Sequence, residues 1–225
     1  MVCPIPVPDE ARICRFRTML AQAELGERLL ALLKEQFDGQ GLIVRRGSLI
    51  DASLVQAQPH QARKGQASPD PEADWTRRGQ DGHFGCKVHL RVDQGSGLIR
   101  RLALTSARTS EPHLFEGMVI GDEAAVFADA AYAKDARPQG LRGRGVFCGI
   151  INRPWRYRPI TEKQKRRNKF YSRVRRAVER VIGTLTRRYG MERCRCLGQR
   201  RNHNHLWLMG ICCNLKKMLV LQGAT

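Results

Sequence analysis

Residues 83–104 contain the pattern that most narrows the folds open to this chain. From position 84 to 92, every second side chain is apolar: Phe84, Cys86, Val88, Leu90 and Val92. The residues between them are mainly polar or charged, and a period of two is that of a half-buried β-strand. A turn-forming segment at 93–97 follows, and residues 98–104 return as a second strand. The chain is therefore expected to contain an antiparallel sheet with one face towards a core.

Elements on either side of this hairpin predict an α/β protein. Helical spacing predicts one helix from Asp9 or Glu10 to about Phe37, a short helix at 111–120, and long helices at about 161–189 and 204–221. Further strands are predicted at 42–44, 49–55, 125–129 and 146–151, while the polar residues 56–82 predict a loop or insertion. We expect a helical N-terminal segment over residues 1–38 and a mixed sheet flanked by helices over residues 39–225.

The charge of the chain points to a polyanionic partner. Its 225 residues include 40 Lys and Arg against 21 Asp and Glu, a formal net charge of +19. A basic balance of this size is typical of nucleic-acid binding. Charge alone also leaves open an anionic membrane surface or a structural, ribosome-type binding role.

Other features of the sequence favour a cytoplasmic protein. No run of 18 apolar residues predicts a membrane span, and the proline-rich N-terminus lacks the basic region of a signal peptide. The eight cysteines are therefore interpreted as reduced thiols.

Three acidic residues occupy positions that suggest a metal-binding or catalytic role. Asp51 lies inside a predicted apolar strand, Asp129 ends another, and Glu179 lies within the long basic helix. An acid within an apolar strand is costly unless it is paired or binds a metal, and hard oxygen ligands suit Mg²⁺ or Mn²⁺. Taken singly, each acid also fits a purely structural role, as a cap at the end of a strand or as a solvated helix residue.

Helical spacing places further residues beside Glu179. Ser172, Arg175 and Thr186 share one face with it, and Arg175 is one turn before it. Arg175 could orient the carboxylate, bind a phosphate or form an ordinary ion pair. A dense basic run leads into this face and predicts contacts with the DNA backbone; its cations are Lys163, Lys165, Arg166, Arg167 and Lys169.

Five ordered motifs together resemble the transposases of the insertion-sequence-five family, within the group that shares a Tyr-x2-Arg-x3-Glu-x6-Lys signature. They lie at 8–17, 47–53, 84–93 and 127–132 and at Arg175-x3-Glu179. Ser172 stands at the Tyr position of the signature and Thr186 at its Lys position. Because the motifs extend over nearly the whole chain, the resemblance is a strong one.

The resemblance implies a ribonuclease-H-like DDE catalytic domain over residues 39–225. It implies that Asp51, Asp129 and Glu179 bind two Mg²⁺ or Mn²⁺ ions and catalyse cleavage and strand transfer of DNA. The expected partners are the element's DNA ends, target DNA and further copies of the chain, with no membrane. Lys87 and His89, on the polar face of the predicted strand at 84–92, are expected to contact DNA or to lie beside the metal ligands; an ordinary solvated strand face is the alternative.

Two other functions stay open at this point. The family has a further small helical domain before the 8–17 motif, so the chain is expected to be truncated or part of a split reading frame. It could then be an inactive DNA-binding remnant. A metal-dependent nuclease of the same fold, which cuts without joining, is the other alternative.

Overall fold

The computed structural model describes residues 7–57, 68, 70–154 and 159–223. Its helices are α1 (Glu10–Gln22), α2 (Leu25–Gly39), α3 (Glu111–Met118), α4 (Arg137–Gly143), α5 (Glu162–Tyr189) and α6 (Gln199–Leu221), with a 3-10 turn at Ala130–Tyr132. Its strands are β1 (Ser48–Gln56), β2 (Asp74–Arg78), β3 (Asp81–Asp93), β4 (Ile99–Ser106), β5 (Ala125–Ala128) and β6 (Phe147–Ile150).

The six strands form one mixed sheet. β3 is antiparallel to β1 and to β4, whereas β5 runs parallel to β1 and β6 runs parallel to β5. The main order is thus β4-β3-β1-β5-β6, with β2 paired to the first residues of β3. This confirms the predicted α/β class and the mixed sheet flanked by helices.

Each face of the sheet packs against its own set of helices. On one face, Leu49 and Leu90 belong to a core with Val178 of α5 and Leu206 of α6. On the other, a second core is built around β1, β5, α3 and α4; it includes Ile50, Phe115, Val126, Tyr132 and Leu141. Neighbouring residues of β1 therefore point into opposite cores, as strand geometry requires.

The N-terminal helical region differs from the sequence prediction. Glu24 adopts a left-handed conformation (φ 52°), which interrupts the single expected helix and produces α1 and α2. Both helices pack against α6, and Leu30 of α2 belongs to the main core. The predicted domain boundary after residue 38 stays a prediction.

Two further predictions around β1 were wrong in detail. Residues 42–44 form no strand, although Ile43 is buried against Phe37 and Leu98. The supposed loop at 56–82 contains β2 and the start of β3, joined by a tight turn in which Gly79 has φ +66°. The part of that loop at 58–67 and 69 lies outside the described residues.

Strand β3 is buried on both faces from residue 85 onward, not on one face only. At the end of its pairing with β1, Gly85 is very close to the neighbouring backbone. A Cβ there would lie 2.1 Å from the Val55 carbonyl oxygen, so only glycine fits. The polar face of β3 is covered because the chain from β4 to β5 passes over it. Several buried polar groups of this face form hydrogen bonds, as polar groups in a core require: Lys87 donates to the Thr109 carbonyl, and Arg91 donates to Ser48 and Glu123.

The long helix α5 has a defined start and end. The Thr161 hydroxyl accepts a hydrogen bond from the Gln164 amide, and the Gln164 side chain accepts one from the Thr161 amide. This reciprocal cap fixes the first turn. Gly190 ends the helix with φ 70°, which glycine adopts without strain. Within the described residues, no helix is long and apolar enough to cross a membrane.

Candidate active site

Asp51 and Asp129 occupy neighbouring positions along the adjacent parallel strands β1 and β5. In the parallel pairing of β1 with β5, Ile50 is opposite Ala128, and each acid is the next residue along its strand. Asp51 continues within β1, whereas Asp129 follows β5 and caps the 3-10 turn through the Ala130 amide, 2.7 Å from its Oδ1. The register of two parallel strands thus brings together acids that are far apart in sequence.

Arg175 of α5 connects these two carboxylates. Its Nη2 is 3.1 Å from Oδ1 of Asp51, and its Nη1 is 3.5 Å from Oδ1 of Asp129. The arginine side chain is only 8% exposed, that of Asp51 is 16% exposed and that of Asp129 is 50% exposed. One guanidinium therefore holds a positive charge at the point where the two carboxylates converge.

Glu179 is one helical turn beyond Arg175 and is exposed. The pKa of Asp51 is raised, mainly because the carboxyl is buried. The charge of Arg175 lowers this pKa, and the negative charges of Asp129 and Glu179 raise it. The Ala52 amide also donates to the Asp51 carboxylate at 3.0 Å. Three negative groups therefore act on one another here, and a cation at this place is favourable.

The donor chemistry of the three acids fits a hard divalent cation. Carboxylate oxygens are the ligands that Mg²⁺ and Mn²⁺ prefer, and two of the acids already share one cationic group. Within the described residues, however, no group of three His, Cys, Asp or Glu side chains stands close enough to hold a metal ion. The expected convergence of all three acids on two ions stays a prediction.

A small pocket of about 200 Å³ opens beside the two aspartates. Thr76 and Arg77 of β2 line it, together with Lys87. Sequence reasoning missed Thr76 and Arg77 because residues 56–82 were interpreted as a loop. The signal that could have found them is Gly79, a turn residue placed directly between residues 74–78 and the alternating strand.

The alternation suggested that Lys87 and His89 lie on a solvated strand face, but both side chains are buried. Lys87 is 8% exposed, and its Nζ donates to the Thr109 carbonyl at 3.0 Å. His89 is fully buried, with Nε2 3.1 Å from the Thr105 hydroxyl. Lys87 thus contacts the chain that leads from β4 to β5, whereas His89 contacts β4 itself. Lys87 also borders the aspartate pocket, and the DNA contacts expected of this pair stay a prediction.

The basic run at the start of α5 is exposed, as expected. Lys163, Lys165, Arg166, Arg167 and Lys169 are all accessible. Lys165 pairs with Glu162 at 2.7 Å. Arg167 is 12 residues before Glu179 on one helix, about 18 Å at the helical rise. The structure thus places these cations and Arg175 on one helix, with Arg175 at the aspartates and the run about two to three turns before it.

Comparisons with known proteins give one family match and several structural neighbours. A family model described as "Transposase DDE domain" matches residues 43–215. Among solved structures, the Mos1 mariner paired end complex with Mn is 12% identical with a TM-score of 0.29, and the match covers 96% of this chain. The Mos1 strand transfer complex is 14% identical with a TM-score of 0.28, also over 96% of this chain. The chain spans 65% of the length of each of these Mos1 chains.

Proposed function

The chain belongs to the family of transposase DDE domains, and from that membership we propose that it cuts and joins DNA phosphodiesters as the catalytic part of an insertion-sequence-five-type transposase. The proposed catalytic residues are Asp51, Asp129 and Glu179. The partners are the element's DNA ends, target DNA and further copies of the chain.

One observation carries the proposal. Parallel pairing puts Asp51 and Asp129 next to each other, and both contact Arg175, which precedes Glu179 by one turn of the same helix. A buried carboxylate beside another carboxylate is unfavourable without a cation. A merely structural role for Asp51 would not require a second acid, Asp129, on the neighbouring strand.

The same three acids would hold Mg²⁺ or Mn²⁺, in the two-ion form expected for this chemistry. When bound, such ions activate a nucleophilic oxygen and stabilise the leaving oxygen in phosphoryl transfer. The chain itself supplies the oxygen ligands: the β1–β5 register keeps Asp51 and Asp129 in place, and helix α5 carries Glu179. Arg175 orients the Asp51 carboxylate, and Arg77 is an exposed cation for the phosphate of an incoming strand.

A cleavage assay on DNA bearing the element's ends, with Mg²⁺ or Mn²⁺, tests this proposal. Asp51→Asn, Asp129→Asn and Glu179→Gln should each reduce cleavage by at least about 100-fold, because each loses several kcal/mol of transition-state stabilisation. Glu162→Gln is the matched control: it removes an exposed glutamate from the same helix, and its cleavage rate should equal that of the unmodified chain.

The same assay separates the alternative functions. Joined products in addition to cut ends identify a transposase, whereas cut ends alone identify a nuclease of this fold. Binding without metal-dependent cleavage identifies a DNA-binding remnant. Either of the last two results contradicts the proposal.

A further inference from the structure

A second and much larger groove, of about 1180 Å³, lies outside the aspartate pocket. It is bounded by β6, by α4 and by the first turns of α5, and none of the three catalytic acids lines it. In the sheet of the described residues, β6 is the last strand after β5. The groove therefore runs along a sheet edge and shares α5 with the acids.

Two exposed aromatic rings line this groove. Phe147 is 51% exposed and Phe170 is 55% exposed, although aromatic side chains of this size are normally buried. Both pack edge-on against Tyr171, at ring-centre distances of 6.0 and 6.1 Å. Tyr171 is itself buried against Phe127 at 5.8 Å. The two exposed rings thus belong to an aromatic cluster that reaches into the core through Tyr171 and Phe127.

The rest of the groove wall is strongly basic. Five cations line it, against the single acid Asp135; they are Lys134, Arg142, Arg153, Arg166 and Arg167. Arg166 and Arg167 form no ion pair with any part of the chain that the structure describes. Unpaired arginines around exposed aromatic rings suit a ligand that combines negative charge with flat apolar surfaces.

We propose that this groove binds a single-stranded segment of DNA, with bases stacked on Phe147 and Phe170 and phosphates at Arg166 and Arg167. Stacking on aromatic side chains within a basic groove is how proteins bind unpaired strands without sequence preference. Intact duplex would leave both rings without a partner, because its bases are already stacked on one another. The proposal rests on the proposed function and deepens it, since it gives the strand beside the cut a separate binding surface.

Binding to a fluorescein-labelled thymidine oligonucleotide, and to a duplex of the same length, tests the proposal. Phe170→Leu and Phe147→Leu keep an apolar side chain but remove the ring. Each should weaken single-strand binding by about 10-fold or more and change duplex binding less than about 2-fold, since phosphate contacts dominate there. Phe16→Leu is the matched control, because Phe16 is 60% exposed on α1 and lies outside the groove.

Two further measurements identify the type of contact. A 2-aminopurine base in the oligonucleotide should lose fluorescence on binding the unmodified chain and not on binding Phe170→Leu, which a purely electrostatic contact would not produce. The double variant Arg166→Gln, Arg167→Gln should reduce the salt dependence of single-strand binding. Arg28→Gln, an exposed arginine of α2, should leave that salt dependence unchanged.

Unchanged single-strand affinity in both phenylalanine variants would overturn the proposal. So would a loss of self-association without a loss of DNA binding, which would make the groove a protein interface. These outcomes are independent of the cleavage assay. A chain that cuts DNA while its phenylalanine variants bind like the unmodified chain refutes only the groove, whereas selective single-strand binding without cleavage refutes only the catalytic proposal.

Discussion

Replacing Asp122 by Asn should destabilise the fold by about 3 kcal/mol, because it uncovers buried positive charge. The Asp122 carboxylate contacts Arg91 at 3.0 Å, Arg45 at 3.3 Å and both terminal nitrogens of Arg100. Arg91 and Arg100 are 0% and 6% exposed. Glu123 still neutralises Arg91 at 2.9 Å, so Arg100 would carry most of the loss. Since Asp122 is 31% exposed, the lower end of the range for buried pairs applies.

The pKa of Asp122 gives the pH dependence of this contribution. Partial burial raises the pKa, but hydrogen bonds and charge from Arg100 and Arg91 outweigh it and hold the pKa well below its usual range. The ionised carboxylate therefore stabilises the fold above its unfolded-state pKa of about 4. That stabilisation is lost as the pH falls below this value, and the Asn variant should not show the loss.

Urea unfolding followed by circular dichroism measures the effect. Asp38→Asn is the control, because Asp38 pairs with Arg45 where both side chains are well exposed, at 39% and 46%; its cost should be below about 1 kcal/mol. Adding Arg100→Met to Asp122→Asn should recover part of the stability, since no buried charge is then uncovered. Equal costs for the two Asn variants, or no recovery in the double variant, would refute the reasoning.

Two other predictions concern the pocket beside the acids and the contact between α1 and α6. Arg77→Gln should slow DNA cleavage by about 10-fold or more while circular dichroism is unchanged, because an exposed cation beside Asp51 and Asp129 is lost for phosphate binding; an unaltered rate would remove Arg77 from the site. Burial and the charge of Arg17 lower the pKa of His205 to about 4. As the pH falls, the His205 imidazole therefore takes up its proton at a higher pH in the unfolded chain than in the folded one. The free energy of unfolding should then fall as the pH drops from about 6.5 to 4, and a His205→Gln variant with an equally steep fall would contradict this.

The sequence was sufficient for those parts of the fold that local pattern controls. Alternation from Phe84 to Val92 predicted β3, and helical spacing with Gly190 at the end predicted α5. Pattern could not show that β3 is covered on both faces, because the cover comes from the chain between β4 and β5. The break at Glu24 was likewise missed, since it depends on how α1 and α2 pack against α6.

The sequence could indicate acids for the candidate site but not the residues around them. Asp51, Asp129 and Glu179 were chosen from their positions and from the family resemblance, and the structure puts the two aspartates together. That Arg175 bridges both aspartates follows only from the parallel register of β1 and β5. Thr76 and Arg77 were missed because a short polar strand has no apolar alternation of its own.

The shortness of β5 limits the insertions and deletions that the chain can accept near Asp129. The strand has four residues, about 13 Å of chain, with Asp122 and Glu123 before it and Asp129 directly after it. Its first end is anchored by buried arginines and its last end presents an acid of the site. Inserting or deleting one residue would turn Asp129 towards the opposite face and pull the anchored acids out of place. The length of β5 therefore sets the position of Asp129 relative to Asp122 and Glu123.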